Sequence, residues 1–216
     1  DAGTYTASCT PDGNHTAPDN KSWKMNAKPV AVTWGTTTFT YNGRAQAPSA
    51  SATTGLTGET MAVTRTTGTN AGSYTSTASC SSVTGGRAKC SNYTLTGNTK
   101  AFSIERASMT APSSPSGKNY TGSSQASGIT CPTGSTAGGT TSATNAGTYT
   151  QTCTPDGNHK WSDGTTTAKS ITWVMNPKSI AVTWGTTTSF TYNGGAQAPS
   201  ASATTGVTGE TMAVTR

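Results

Sequence analysis

The sequence predicts an all-β protein built from small antiparallel β-sandwiches that follow one another in an extended array. Thr occupies 49 of the 216 positions, whereas Leu, Ile, Val and Phe together occupy 17. β-Branched Thr suits a pleated strand, and so few large aliphatic residues can fill only thin cores. Short runs of alternating residues are bounded by Gly, Asn and Pro, and long segments recur nearly unchanged. These patterns are typical of small β-domains in tandem.

Charge and composition exclude other classes of protein. Disordered chains combine few large apolar residues with high net charge, but here only 10% of residues are charged and the net charge is +6. The 14 basic residues are scattered, apart from Lys21, Lys24 and Lys28, and form no basic face for nucleic acid. No apolar run approaches the ~20 residues of a membrane span. We therefore expect no nucleic-acid partner and no membrane contact within this segment.

The repeat has a period of about 150 residues. The stretch "AVTWGTTT" at 31–38 recurs at 181–188, an offset of 150. After one inserted residue, Ser189, the 27 residues of 39–65 recur at 190–216 with two substitutions. The opening "AGTYT" recurs at 146–150, an offset of 144, because a later loop is six residues shorter in the first copy. Near-identity over this length does not arise from composition, so the chain is read as an array.

Two related repeats, here named B and A, fill each period. Both contain Tyr-x-Gly-x-x-Gln, at Tyr41 and Tyr120, and both contain Thr-Asn-Ala-Gly-x-Tyr-Thr, at Thr69 and Thr144. The predicted domains are the C-terminal part of an A repeat (1–26), a complete B repeat (27–105), a complete A repeat (106–176) and the N-terminal part of a B repeat (177–216). This order of partial and complete repeats predicts that the chain is a segment of a longer repeating polypeptide.

Each repeat divides into short strands without helical periodicity. In B we predict seven strands: "VAVTW", "TFTY", "QAPSASA", "TMAVTR", "SYTSTAS", "NYTLTG" and "AFSIE". The A repeat follows the same plan around a small predicted core of Tyr120, Ile129, Tyr149, Ile171 and Trp173. Tyr74 and Tyr149 follow Asn-Ala-Gly, so we predict that each hydroxyl bonds to nearby backbone, as in a tyrosine corner.

The pairing of "YNGRAQ" with "TNAGSYT", closing on "NYTLTG" and "AFSIE", resembles the MBG/YDG-type repeats of large bacterial surface proteins. Those repeats belong to the bacterial immunoglobulin-like (Ig-like) modules. The resemblance covers the whole chain and is more specific in the B repeat than in the A repeat. It implies extracellular tandem Ig-like domains that form stalks or adhesins, with no catalytic residues to carry over.

Four of the five cysteines are predicted to form disulfides. Cys80 and Cys90 flank a Gly-Gly turn between two strand-like runs, and Cys131 and Cys153 lie on two runs of the A repeat. Two disulfides indicate an environment outside a reducing cytoplasm. Cys9 is the counterpart of Cys153, and the counterpart of its partner falls before Asp1, so Cys9 is predicted to be unpaired in this segment. A free thiol or a link to another chain is the alternative.

Catalytic, metal and cofactor sites are not predicted. His15 and His159 occupy equivalent Asp-Gly turns and lack the further His or Cys ligands that zinc requires. No Ser lies in a nucleophile elbow, and the carboxylates show no pairing typical of glycosidases. We therefore predict that the protein is not an enzyme and binds no cofactor.

The five tryptophans raise the question of a carbohydrate platform. Trp23, Trp34, Trp173 and Trp184 end strand-like runs, and we predict that they lie in cores or junctions. Trp161 lies in the loop that is longer in the second copy, so it is a candidate exposed contact residue.

These observations support two candidate functions. The first is a structural segment of an extracellular bacterial surface fibre, stalk or adhesin, whose partners are neighbouring repeats. The alternative is an adhesive binding module that recognises glycan or host protein through the loop around Trp161. Both place the chain outside the cell, at the cell surface.

Overall fold

A computed structural model describes residues 1–86 and 88–215 of the chain. The chain divides into two compact units, Asp1–Ala107 and Ser108–Arg216. The division falls two residues after the predicted end of the B repeat at Glu105. The finer division into two complete and two partial repeats stays a prediction. Among the described residues, no helix is long and apolar enough to span a membrane.

Among its described residues, the first unit contains β-strands and one 3₁₀ turn, at Cys90–Asn92. Its strands are β1 (Gly3–Ala7), β2 (Lys21–Met25), β3 (Lys28–Trp34), β4 (Thr38–Thr40), β5 (Ala50–Ala52), β6 (Thr60–Arg65), β7 (Gly72–Thr84), β8 (Tyr93–Thr96) and β9 (Thr99–Glu105). β1 and β2 form a hairpin, and the other strands form a three-stranded sheet, β5-β3-β8, and a four-stranded sheet, β4-β9-β7-β6. The seven strands predicted for the B repeat correspond to β3 to β9.

The predicted antiparallel arrangement is wrong at two pairs of strands in this unit. β8 runs parallel to β3, with Lys28 beside Tyr93, and β9 runs parallel to β4, with Thr38 beside Ser103. The reason is that the chain passes from one sheet to the other after Trp34. The N-terminal stretch of the repeat therefore gives a strand to each sheet, and both strands lie parallel to the closing strands β8 and β9.

The core of the first unit lies beneath alternate residues of its strands. Val30, Ala78, Phe102 and Ile104 are buried, and the ring of Tyr74 stacks on Phe102 with centroids 5.3 Å apart. Because successive strand residues face opposite sides, the residues between them on β7 and β9 lie on the outer face. Most of these are Ser and Thr, which explains how so Thr-rich a chain forms sheets.

The second unit is also entirely β among its described residues. Its strands are β10 (Ala107–Met109), β11 (Lys118–Asn119), β12 (Gln125–Ala126), β13 (Ser135–Gly139), β14 (Ser142–Ala143), β15 (Gly147–Pro155), β16 (His159–Trp161), β17 (Lys169–Asn176), β18 (Val182–Trp184) and β19 (Ala201–Ala203). They form a four-stranded sheet, β11-β17-β15-β13, and three two-stranded sheets, β10-β16, β12-β14 and β18-β19. Here too one pair, β11 and β17, is parallel.

The core of the second unit centres on Cys153, Trp161 and Ile171, which are almost completely buried. Met109, Ile129 and Cys131 are among the partly buried residues that pack against it. Trp173 and Met175 are also buried in this unit. Fully burying a side chain the size of Ile contributes about 1.5–3 kcal/mol, so a core with so few large apolar side chains gives limited stability. The disulfide that joins Cys131 to Cys153 lies within this cluster.

Candidate functional site

The loop around Trp161 was the candidate binding site, and the structure contradicts an exposed Trp161. Its side chain is only 1% exposed and lies in the core of the second unit. The indole Nε1–H donates to the Thr167 carbonyl at 2.8 Å, and the Trp161 N–H donates to the Thr165 carbonyl at 2.8 Å. The longer loop therefore folds back over the indole and accepts its hydrogen bond. A buried Trp161 offers no stacking surface to a glycan or a host protein.

The same loop carries an ion pair on its surface. Lys169 Nζ lies 2.5 Å from Asp163 Oδ2, and the Thr165 hydroxyl donates to Asp163 Oδ1 at 2.7 Å. The pKa of Asp163 is lowered chiefly by Lys169 and then by these Thr165 hydrogen bonds. The side chains hold the shape of the loop, and the carboxylate stays ionised. A carboxylate held in this way is a poor general acid at neutral pH.

Two of the other tryptophans, Trp173 and Trp34, are at least partly buried and make hydrogen bonds to backbone. Trp173 is 1% exposed, and its Nε1–H donates to the Thr140 carbonyl at 2.9 Å, as predicted for a core residue. Trp34 is half-buried and donates to the Gly97 carbonyl at 2.8 Å.

The core or junction position predicted for Trp23 and Trp184 is wrong in this structure. These residues are 50% and 59% exposed, respectively. The Trp23 ring stacks on Tyr5, with ring centroids 5.6 Å apart.

The structure places four of the cysteines in the two predicted pairs. Cys80 bonds to Cys90 and Cys131 bonds to Cys153, with Cα–Cα distances of 5.7 and 5.6 Å. Cys9 is a free, exposed thiol in the first unit. Disulfides persist in oxidising compartments, so both pairs indicate an environment outside the reducing cytoplasm.

A buried polar pair beside the second disulfide was not anticipated from the sequence. Gln151 and Ser127 are both almost fully buried, and the Ser127 hydroxyl lies 2.5 Å from Gln151 Oε1. The Gln151 side-chain amide donates to the Ile129 carbonyl, and the Ile129 N–H donates to Ser127 Oγ. Gln151 shares the inward face of β15 with Tyr149 and Cys153, and that period of two was the signal. With its hydrogen bonds satisfied, the pair positions the disulfide-bearing segment rather than a ligand.

The two recurring motifs have structural roles. In Tyr-x-Gly-x-x-Gln, the Gln side chain donates to the carbonyl of the residue before the Tyr. This bond forms three times, at 3.1 Å from Gln46, 2.8 Å from Gln125 and 2.8 Å from Gln197. In Asn-Ala-Gly-x-Tyr, the hydroxyls of Tyr74 and Tyr149 each donate to the carbonyl four residues earlier at 2.8 Å. The predicted tyrosine corners are confirmed.

The histidines lie in matching turns. His15 Nδ1 is 2.5 Å from Asp12 Oδ1, and His159 Nδ1 is 2.7 Å from Asp156 Oδ1. These hydrogen bonds are the chief cause of the lowered pKa of each aspartate. The His159 ring packs on Gly134, whose φ is +88° and where an added Cβ would lie 2.3 Å from Nδ1. Over the described part of the chain, no three His, Cys, Asp or Glu side chains are grouped to hold a metal ion.

A cleft of about 270 Å³ in the second unit is lined by apolar and charged groups, including Pro177, Lys178 and Ile180. At its wall the Tyr120 hydroxyl donates to the Glu210 carboxylate, and this hydrogen bond raises the pKa of Tyr120. Tyr93 and Glu59 make the same contact in the first unit, with the same direction of shift. A tyrosine with a raised pKa is protonated at neutral pH and is a poor base or nucleophile.

Comparison with known proteins adds no function: no protein-family model matches the chain, and no curated protein matches it.

Proposed function

We propose that the chain is a structural segment of an extracellular bacterial surface fibre, stalk or adhesin built from repeating Ig-like domains in an extended array. Its role is to space and display other parts of the assembly, and its partners are neighbouring repeats. We assign it no catalytic role. The Ig-like character, the cell-surface location and the bacterial source rest on the resemblance to MBG/YDG-type repeats.

One observation carries this proposal: the sequence repeat is also a repeat of strand register. In β1–β2, Tyr5 lies opposite Trp23, and in β15–β17, Tyr149 lies opposite Trp173. Likewise β18–β19 repeats the pairing of β3–β5, with a Trp opposite an Ala in each. Segments about 150 residues apart therefore form the same local structure, as expected when each repeat is one structural module.

The chemistry of the side chains supports a structural role. Every recurring motif makes a hydrogen bond to backbone, and among the described residues no buried side-chain polar atom lacks a partner. Two disulfides supplement cores that contain few aliphatic residues. A stalk outside the cell needs stable modules, and covalent links stabilise small modules where a large core is absent.

The alternative of a binding module at the loop around Trp161 has lost its basis, because that indole is buried. We do not propose it further. A single substitution separates the two roles: if the chain is a spacer, Trp161→Phe changes stability but no adhesion.

The location is tested by labelling intact cells that produce the protein. Antibodies raised against the purified chain are applied before and after external protease treatment, with a cytoplasmic protein as the control. We expect labelling of intact cells that protease abolishes while the cytoplasmic control survives. Labelling that requires permeabilised cells would refute the cell-surface assignment.

A further inference from the structure

The Tyr-x-Gly-x-x-Gln motif of the B repeat contains an Asn-Gly pair in an exposed turn. The pairs are Asn42-Gly43 in "YNGRAQ" and Asn193-Gly194 in "YNGGAQ", and all four residues are exposed. Asn42 belongs to the complete B repeat, so its exposure is a property of the folded repeat. Asn-Gly is the pair of residues in which the main chain crowds the asparagine side chain least.

The side-chain carbonyl of each asparagine is held against the backbone that follows it. Asn42 Oδ1 accepts the Arg44 N–H at 2.9 Å, and Asn193 Oδ1 accepts the Gly195 N–H at 3.1 Å. This is an Asx turn, in which the side chain bonds to the backbone two residues on. The hydrogen bond draws electron density away from Cγ, which makes that carbon a better target for a nucleophile.

The backbone nitrogen of the following glycine is a nucleophile that nothing blocks. Among the described residues, no group accepts a hydrogen bond from the N–H of Gly43 or of Gly194. The φ angles of these glycines are +75° and +84°, and a Cβ added to either would meet no atom within 4 Å. Neither a side chain nor a hydrogen bond therefore hinders the approach of this nitrogen to Cγ of the preceding asparagine.

Four other asparagines differ, because the amide that follows each of them is engaged. The residues whose N–H groups donate to backbone carbonyls in this way are His15, Tyr93, Tyr120 and His159. Tyr120, which follows Asn119, donates to the Asn176 carbonyl at 2.9 Å. Breaking one ordinary hydrogen bond before the reaction slows it by about tenfold.

Three Asp-Gly pairs share the glycine but not the reactive amide. They begin at Asp12, Asp156 and Asp163. A hydrogen bond from a neighbouring histidine or lysine side chain is the chief cause of the lowered pKa of each aspartate. These side chains are therefore ionised at neutral pH, and an ionised carboxylate resists attack by a nucleophile.

We propose that Asn42 and Asn193 are sites of spontaneous deamidation, through which the B repeats acquire aspartate and isoaspartate with time. The Gly43 amide nitrogen gives its proton to solvent base and attacks Asn42 Cγ. The new N–Cγ bond closes a cyclic succinimide, and the Cγ–Nδ2 bond breaks, so that Nδ2 takes up a proton and leaves as ammonia. Water then opens the ring: addition at Cγ gives aspartate, and addition at the main-chain carbonyl carbon gives isoaspartate. Because the reacting groups belong to adjacent residues, the first step is intramolecular and water is the only co-reactant.

The products change both the charge and the main chain of the turn. Each event replaces a neutral amide by a carboxylate and so lowers the formal net charge of +6 by one. Isoaspartate also adds a carbon atom to the main chain between Tyr41 and Gln46, whose N–H groups donate to carbonyls of other segments at 2.8 Å. The reaction depends on the local turn alone, so it is independent of the role of the chain as a stalk.

The A repeat supplies a matched control variant. Thr121 takes the place of Asn42 in its Tyr-x-Gly-x-x-Gln motif, and the Thr121 hydroxyl accepts the Ser123 N–H at 3.4 Å. The turn therefore forms without an asparagine, and Asn42→Thr/Asn193→Thr should fold like the parent. The experiment incubates the full-length parent and this variant in buffer at neutral pH. Peptide mass spectrometry follows each asparagine, with electron-transfer fragmentation to separate isoaspartate from aspartate.

We expect the peptides that contain Asn42 and Asn193 to gain the mass difference between a hydroxyl and an amino group. They should do so at least about tenfold faster than the peptide that contains Asn119. Urea should lower this ratio of rates, because unfolding releases the Tyr120 N–H. The rate should rise with pH, because the glycine amide must lose its proton. In isoelectric focusing, the parent should become more acidic with time and the variant should not.

Three results would each overturn the proposal. The first is an equal rate at Asn42 and Asn119 in the folded chain, or a ratio that urea leaves unchanged. The second is isoaspartate at Asp156 that forms as fast as at Asn42, since the amide would then have no special role. The third is a folded parent that stays unmodified while the urea-unfolded chain reacts, because the turn would then protect the asparagine.

Discussion

Removing the Cys131–Cys153 disulfide should destabilise the A repeat more than any single substitution on its surface. The perturbation is Cys131→Ala/Cys153→Ala, which avoids placing a hydroxyl in the core. The bond closes a loop with a sequence separation of 22. Constraining a loop of that length in the unfolded chain contributes about 3 kcal/mol. Cys153 is fully buried against Trp161 and Ile171, so the lost sulfur atoms add a small cavity cost.

The expected loss is a large fraction of the free energy of unfolding of the A repeat. A module of about 70 residues has a free energy of unfolding of about 4–10 kcal/mol. A loss of about 3 kcal/mol lowers the Tm of such a module by about 12–24 °C. The Cys80–Cys90 bond, with a sequence separation of 10, is the matched control for a shorter loop, and its removal should cost slightly less, about 2.7 kcal/mol.

The assay is thermal unfolding of the variant and of the parent protein, followed by near-ultraviolet circular dichroism, which reports the buried Trp161 and Trp173. The parent with a reducing agent should lose at least as much stability as the variant, because reduction breaks both disulfides whereas the variant lacks only Cys131–Cys153. A loss below about 1 kcal/mol would refute the reasoning, since the constraint on the unfolded chain would then be negligible.

Three further predictions concern single side chains of the A repeat. Trp161→Ala should lower the free energy of unfolding, measured in urea, by about 3–5 kcal/mol, because it leaves a cavity in the core and removes the hydrogen-bond donor of the Thr167 carbonyl. A loss below about 1 kcal/mol would contradict the buried position. Tyr149→Phe should lower the free energy of unfolding by about 0.5–1.5 kcal/mol, because it removes the hydrogen bond to the Asn145 carbonyl. An unchanged urea midpoint would mean that this hydrogen bond contributes nothing to stability. Asp156 has a lowered pKa because of His159, so its contribution is present above its unfolded pKa of about 3.9 and is lost as pH falls through the folded value. The Tm difference between the parent and Asp156→Asn should therefore be present at about pH 6 and shrink as the pH falls below about 3.9, and a difference independent of pH would contradict this linkage.

The features that the sequence predicted are those determined by local pattern. Alternation marked the seven strands of the B repeat, because successive strand residues face opposite sides. The Asn-Ala-Gly-x-Tyr motif marked the corners at Tyr74 and Tyr149, since the hydroxyl reaches a carbonyl only four residues away. The location of the cysteines within the repeats predicted the two disulfide pairs. None of these required knowledge of which distant strands lie side by side.

The features that the sequence missed depend on distant partners. The parallel pairs β3–β8 and β4–β9 join strands about 65 residues apart, and alternation is the same in parallel and antiparallel strands of this length. Trp161 was assigned to an exposed loop because loop length varies there, but the loop carbonyls of Thr165 and Thr167 accept its hydrogen bonds and allow its burial. Gln151 was overlooked because its burial depends on the hydroxyl of Ser127, which is 24 residues away.

The central claim is that repeating modules form an extended array, and small-angle scattering of the full chain tests it most directly. A compact globule of this length has a radius of gyration of about 17 Å. The account predicts a value well above about 17 Å, with a cross-section of one module and circular dichroism typical of folded β-structure. A folded chain with a radius of gyration near about 17 Å would contradict the account.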